Sequence, residues 1–249
     1  MIDSHCHLDH CDAPVAEVLE RARAAGVTRM ATVGIDAAAT EFAVATAREH
    51  DGVWAIVGRH PQSATGFGDG EVAAIEQAAA DPVVRAIGET GLDYYRDYSP
   101  RDDQRRAFEA QIDLARRLEL PLVIHTRAAE DDTFAILRER AAGLTVVLHC
   151  FSAPDRLGEC VERGYVCSFA GNVTYPKATD LQVAAREVPG ELLMVETDAP
   201  YLAPQPVRGK PNEPANVVAT ARHVAELRGV DYEELEATVE ATAARVFGW

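Results

Sequence analysis

Short, continuously apolar runs alternate with longer helical stretches along the whole chain, and this alternation limits the possible folds more than any other feature. The runs are Ile2–His5, Thr28–Val33, Val53–Val57, Val84–Glu89, Leu122–His125, Thr145–His149, Tyr165–Ser168 and Leu192–Glu196. Most lack the polar–apolar alternation of a half-exposed strand, so they read as parallel strands covered on both faces. Between them lie stretches with helix starts and stops. Ala13–Ala25 follows Asp12 and stops at Gly26. Ala37–His50 follows Asp36, and Glu71–Ala80 stops at Asp81-Pro82. Arg101–Leu118 follows Ser99-Pro100 and repeats Phe108, Ile112, Ala115 and Leu118 at helical spacing. Asp131–Ala142, Pro154–Arg163 and Lys177–Val188 stop at Gly143, Gly164 and Pro189, and Asn212–Arg228 and Tyr232–Phe247 end the chain.

Eight strands alternating with helices, without a break in composition, predict an α/β protein: one (β/α)8 TIM barrel spanning residues 1–249. The competing architecture is a doubly wound open sheet, which normally has a glycine-rich phosphate loop after its first strand. Here that position is His5-Cys6-His7-Leu8-Asp9. Gly66-Phe67-Gly68-Asp69-Gly70 lacks a following Lys-Ser/Thr and reads as a turn before a helix.

The 249 residues are 47% hydrophobic and 26% charged, the balance of a globular chain with a sizeable core. No secretory signal or membrane-spanning run is read at the sequence level, so a cytoplasmic protein is expected, and a monomer. The five cysteines include no C-x-x-C pair and are expected to be free thiols, with Cys6 facing away from its flanking histidines. A formal net charge of −16 excludes broad electrostatic coating of nucleic acid, but not transient contact with it.

The polar residues at the strand ends carry the chemistry. His5 ends the first run, with His7 two positions on. Glu89, His125 and His149 end the fourth, fifth and sixth, and Asp198 follows the eighth. In a barrel those carboxyl ends form the face on which active sites are built. Four imidazoles and two carboxylates gathered there would be costly to desolvate unless a cation were among them. Mixed nitrogen and oxygen donors suit Zn, Mn, Ni or Co. Six ligands exceed what one closed zinc site needs, so one or two divalent ions are expected, with a carboxylate as the bridge if there are two. His10, His50 and His223 lack the strand-end context.

Five motifs together resemble the TatD family of metal-dependent deoxyribonucleases, of the amidohydrolase superfamily. They are Ile2-Asp3-Ser4-His5-Cys6-His7-Leu8-Asp9, Gly88-Glu89-Thr90-Gly91-Leu92-Asp93-Tyr94-Tyr95, Pro121-Leu122-Val123-Ile124-His125, His149-Cys150-Phe151-Ser152 and Glu196-Thr197-Asp198-Ala199-Pro200-Tyr201-Leu202-Ala203-Pro204. Arg208-Gly209-Lys210-Pro211-Asn212-Glu213-Pro214 also looks like that family. The resemblance implies that His5, His7 and Asp198 hold a first metal, that Glu89 bridges to a second, and that His125 and His149 complete it. It implies hydrolysis of DNA phosphodiesters, as a 3'-5' exonuclease on a single strand or 3' end, with Mg, Mn, Zn or a similar ion. Some members are credited with removing D-amino acids from tRNA, so another ester is the alternative substrate. A metal-dependent nucleic-acid-binding protein without turnover is a third reading, which the intact Glu89 and Asp198 disfavour.

Within that resemblance Asp198 and Glu89 are the expected catalytic carboxylates, Asp198 orienting the attacking water and taking its proton. His60, Arg127, Arg208 and Lys210 are expected at phosphate oxygens, and Tyr94 and Tyr201 at unpaired bases. The chain departs from the family pattern at Arg59, Gln62, Thr90 and Ala153, none of them a ligand position.

Overall fold

The computed structural model describes all residues, Met1–Trp249. In chain order the elements are β1 (Ile2–Cys6), α1 (Val15–Ala24), β2 (Arg29–Gly34), α2 (Ala37–Glu49), β3 (Val53–Val57), α3 (Asp69–Ala79), β4 (Val84–Asp93) and α4 (Arg101–Leu118). They continue with β5 (Leu122–Arg127), α5 (Glu130–Arg140), β6 (Val146–Leu148), α6 (Leu157–Arg163), β7 (Val166–Phe169), α7 (Thr179–Glu187), β8 (Leu193–Val195), α8 (Val217–Arg228) and α9 (Tyr232–Phe247). The strands form one eight-stranded sheet in sequence order, a nearly closed barrel of parallel strands with alternating helices. The expected (β/α)8 fold is the one observed. No helix is long and apolar enough to cross a membrane.

The chain groups into two compact units, Met1–Thr32 with His149–Trp249, and Val33–Leu148. In the first, β1 is buried along its whole length. Ile2, Val166, Phe169, Leu193, Val195, Val224 and Val239 are among its buried apolar side chains. The Phe151 and Phe169 rings meet edge to face at 5.7 Å. The chain's first and last strands join here: the N–H of Asp198 donates to the carbonyl of His5 (2.9 Å), and that of His7 to the carbonyl of Ala199 (2.8 Å).

In the second unit the longest helix shows why such sequences form these elements. α4 starts after Pro100, carries Asp102 and Asp103 in its first turn and Arg116 and Arg117 in its last, and so opposes its own dipole at both ends. Its buried stripe includes Ala107, Phe108, Ile112 and Ala115, and it stops where Glu119 turns left-handed (φ 55°). Each of the large side chains so buried contributes roughly 1.5–3 kcal/mol.

The main departure from expectation is β4. It runs on to Asp93 instead of ending at Glu89, and β5 runs on to Arg127 past His125. Gly88, Glu89, Thr90 and Gly91 break the apolar run without ending the strand: the register with β5 shifts between Ile87 and Thr90, and pairing then resumes, with Thr90 opposite Ile124, Gly91 opposite His125 and Asp93 opposite Arg127. Gly91 is needed at this contact. Its φ is +138°, and a β-carbon there would stand 2.0 Å from the carbonyl oxygen of His125. Elsewhere the expected ends shift by a few residues. The stretch expected as Asn212–Arg228 becomes helical only at Val217, after a 3-10 turn over Pro214–Asn216.

Candidate metal centre

The first unit gathers His5, His7, His149 and Asp198 around the β1–β8 junction. His5, His7 and His149 are buried. His5 Nε2 is 3.4 Å from His7 Nε2, and His7 Nε2 is 3.5 Å from Asp198 Oδ1. Donor atoms at about 2.05 Å around a tetrahedral zinc-like ion lie about 3.35 Å apart, and both separations made by His7 Nε2 match that edge length. The donor set therefore fits a divalent cation. The His149 ring stacks on His5 with centroids 3.7 Å apart.

Buried carboxylates fix this group from behind. Glu196, fully buried, accepts from His149 Nδ1 (2.7 Å) and from the N–H of Cys150 (2.8 Å) through one oxygen. That assigns the Nδ1 proton of His149 and leaves the Nε2 lone pair for a ligand. Asp3 accepts from the N–H and hydroxyl of Thr197 (2.8 and 2.5 Å) and from the N–H of His5 (3.3 Å). Burial pushes the Asp3 carboxyl up to about 8, against the hydrogen bonds from Thr197 and His5. Asp198 is mostly covered, and that desolvation would raise its pKa, but the bond to His7 and the neighbouring His149 and His5 outweigh this and hold it below the usual carboxylate range. Asp198 and Cys150 both have left-handed backbones (φ 53° and 44°), a conformation uncommon for such residues and frequent at functional sites. Asn212 ties down the loop after β8, donating to the carbonyls of Thr197 (3.0 Å) and Tyr201 (2.7 Å).

The second unit has its own group, made by Glu89, His125, His60 and Asp93. Glu89 Oε1 is 2.7 Å from His125 Nδ1 and 3.4 Å from His60 Nε2, and His125 Nε2 is 3.4 Å from Asp93 Oδ2. An imidazole facing a carboxylate at each nitrogen is stable when protonated twice, or when a metal cation stands in for one proton. His60 differs from the other histidines. Its Nδ1 accepts the N–H of Gln62 (3.1 Å), so in the neutral ring Nε2 carries the proton.

Three of the departures from the family pattern have partners here. Gln62 donates its amide to Asp93 Oδ2 (2.7 Å). Arg59 and Thr90 share one partner, the buried Gln111 of α4. Its Oε1 accepts the N–H of Arg59 (2.7 Å), and its Nε2 donates to the Thr90 hydroxyl (2.7 Å) and the Arg59 carbonyl (3.1 Å). Nothing in the structure explains Ala153.

The residues expected at substrate fall into different settings. Arg127 is exposed, with its guanidinium carbon 4.0 Å from the centroid of the Tyr95 ring. Tyr94 is partly covered: Arg101 stands 4.0 Å over its ring and its hydroxyl donates to Asp132 (2.7 Å). Tyr201 is exposed, its hydroxyl 3.2 Å from His10 Nδ1. Arg208 covers Tyr175 at 4.2 Å, and Lys210 is exposed. Cys6 is buried and donates to the Ala31 carbonyl (3.4 Å), which matches its expected structural role.

Sequence reasoning gave no role to Glu196, Asp3, Asp93 or Gln111. The available signal was a carboxylate or amide inside an otherwise apolar strand or helix face, where an unpaired polar group would be costly.

The family model described as TatD related DNase matches residues 2–248. The chain belongs to the TatD family. Its TatD relatives include the protein of Bacillus subtilis named uncharacterized metal-dependent hydrolase YabD, 38% identical over 99% of this chain and 98% of that protein. The Cronobacter sakazakii protein named 3'-5' ssDNA/RNA exonuclease TatD is 37% identical over 93% of this chain and 90% of its own length. Among solved structures, the TatD homolog YJJV of Escherichia coli superimposes with a TM-score of 0.94 at 28% identity, covering 100% of this chain and 98% of that one.

Proposed function

We propose that this TatD protein is a metal-dependent hydrolase of nucleic-acid phosphodiesters that removes nucleotides from the 3' end of single-stranded DNA. The observation that carries the reading is the placement of His7 Nε2 between two further donors, 3.4 Å from His5 Nε2 and 3.5 Å from Asp198 Oδ1, each at the edge length of a coordination shell. The 3'-5' ssDNA/RNA exonuclease named among its relatives, that of Cronobacter sakazakii, supports the choice of phosphodiester and polarity.

In this reading His5, His7 and Asp198 bind in the first unit with His149, and Glu89 and His125 bind in the second. One or two divalent ions held there would supply an acidified water and an electrophilic contact to a phosphoryl oxygen. Asp198 orients the attacking water and accepts its proton at a carboxylate oxygen that its histidine neighbours keep ionised. Glu89 is the acidic ligand of β4. His60 donates its Nε2 proton to a phosphoryl oxygen, and Arg127 and Arg208 contact flanking phosphates. Tyr201 offers a ring face to a base near the 3' end.

The test is hydrolysis of labelled single-stranded DNA by metal-stripped protein, with Mg, Mn or Zn restored and Asp198→Ala as control. Metal-dependent shortening from the 3' end that is absent in the variant is the expected result. Protein that binds metal and leaves DNA intact would overturn the phosphodiester reading and direct assays to D-aminoacyl-tRNA.

A further inference from the structure

The large apolar side chains left exposed are Tyr95, Tyr98, Val161, Val183 and Tyr201, and two of them lie three positions apart in one loop. Tyr95 and Tyr98, each 64% exposed, follow the carboxyl end of β4, the strand that carries Glu89. A mobile loop would hide such rings or leave them disordered, but this loop is pinned. The buried carboxylate of Asp93 accepts the N–H groups of Tyr95 (3.0 Å) and Arg96 (2.9 Å), while Gln104 accepts the Asp93 N–H and donates to the carbonyls of Asp93 and Ser99. The exposed rings are therefore held in place.

The cations around them are arranged for anions. Arg127 lies over the Tyr95 ring at 4.0 Å. Arg96 stands 5.7 Å from the Tyr95 centroid and 5.9 Å from that of Tyr98, and donates to the Tyr98 hydroxyl (3.1 Å). The acid of the loop, Asp97, is taken up by the two guanidinium donors of Arg101 (3.0 and 2.9 Å). Arg96 and Arg127 have no carboxylate partner. Against a net charge of −16, a local pair of arginines without carboxylate partners, interleaved with two exposed tyrosine rings, stands out.

A ring face beside a guanidinium matches one ligand chemistry closely: a planar base attached to a phosphodiester. Two such pairs in succession match a strand, and only unpaired bases have free faces. We propose that Tyr95 and Tyr98, with Arg127 and Arg96, form a stacking platform for successive bases of single-stranded nucleic acid. The platform deepens the proposed function and rests on it. Asp93 joins the two, since one of its oxygens holds the loop and the other lies 3.4 Å from His125 Nε2. The platform extends the expected aromatic contact from Tyr94, which is half-buried with its hydroxyl bound to Asp132, to the exposed Tyr95 and Tyr98.

The test compares binding of the purified protein to two labelled phosphorothioate strands of equal length, an oligothymidylate and its abasic counterpart, by fluorescence anisotropy. The wild type is expected to prefer the base-bearing strand by roughly tenfold or more. Tyr95→Ala/Tyr98→Ala is expected to bring the ratio close to one, and Tyr95→Phe/Tyr98→Phe to keep it, which separates stacking from misfolding. Equal binding of the two strands by the wild type, or a preference that survives the double alanine change, overturns the platform. Hydrolysis of bis(4-nitrophenyl) phosphate by the wild type is read separately. A protein that stacks bases but hydrolyses no phosphodiester keeps the platform and loses the function it was placed beside. An RNA strand with the same preference extends the ligand to both nucleic acids.

Discussion

His149 and Glu196 form a buried imidazole–carboxylate pair, with Nδ1 2.7 Å from Oε1. The carboxylate fixes which nitrogen of His149 carries the proton and raises the basicity of the other. Loss of such partners typically weakens metal binding by about 10–100-fold. Glu196→Gln, which keeps an acceptor but removes the charge, is expected to fall within that range in calorimetric titration with Mn or Zn. Unchanged affinity would mean that the pair only packs.

Asp198→Asn keeps the size of the side chain but removes its capacity to take a proton. Turnover of a small phosphodiester is expected to drop by about 10²–10⁴-fold, the range for loss of a positioned base. Steady-state kinetics with the metal saturating separate this from a loss of metal alone.

The fully buried Asp93 links stability to pH. Its burial would raise its pKa, but the bonds from His125, Gln62 and the Arg96 N–H prevail and place it well below the ordinary carboxylate range. A depressed pKa stabilises the fold above the unfolded-state value of about 4, and the contribution disappears as pH falls through the folded-state value. Asp93→Asn is therefore expected to cost about 1–3 kcal/mol at pH 7 and progressively less below pH ~4. Urea unfolding of both proteins at several pH values checks this. A constant difference between them would refute the linkage.

Metal-stripped protein is expected to melt at a lower temperature than protein with Mn or Zn restored. A ligand at 100 times its dissociation constant adds about 2.7 kcal/mol. Differential scanning calorimetry with increasing metal should show a concentration-dependent rise that Asp198→Ala reduces.

Gly91→Ala puts a β-carbon into the carbonyl of His125 and forces an L residue to φ +138°. Destabilisation of roughly 2 kcal/mol or more is expected. Gly26→Ala also meets a positive φ, but has open space around it, and serves as the control for backbone strain alone.

Strong local signals made much of this fold legible in the sequence. β3, α4 and α9 have the expected bounds, since each has a continuous apolar pattern and clear flanking residues. β4 looks shorter in the sequence than it is, because Gly88-Glu89-Thr90-Gly91 resembles a terminus until the pairing of Thr90 and Gly91 with β5 is known. The ligand candidates were visible because histidines and acids at the ends of apolar runs stand out. The groups that orient them were not, because their function depends on partners remote in sequence: Asp3 on Thr197, Glu196 on His149, and Gln111 on both Arg59 and Thr90. The proton position on His60 depends on one backbone N–H, that of Gln62, which residue types alone do not reveal.

The junction of the first and last strands also sets the order of assembly. Asp3 and Thr197 are 194 positions apart, yet their hydrogen bonds lie directly behind His5 and Asp198. Synthesis of His5 and His7 precedes that of their carboxylate partner Asp198 by about 190 residues, roughly ten or more seconds at ordinary elongation rates. Until β8 and the turn after it have been made, His5 and His7 wait without this partner, so the group is assembled by the closing of the sheet and not by the folding of its first strand.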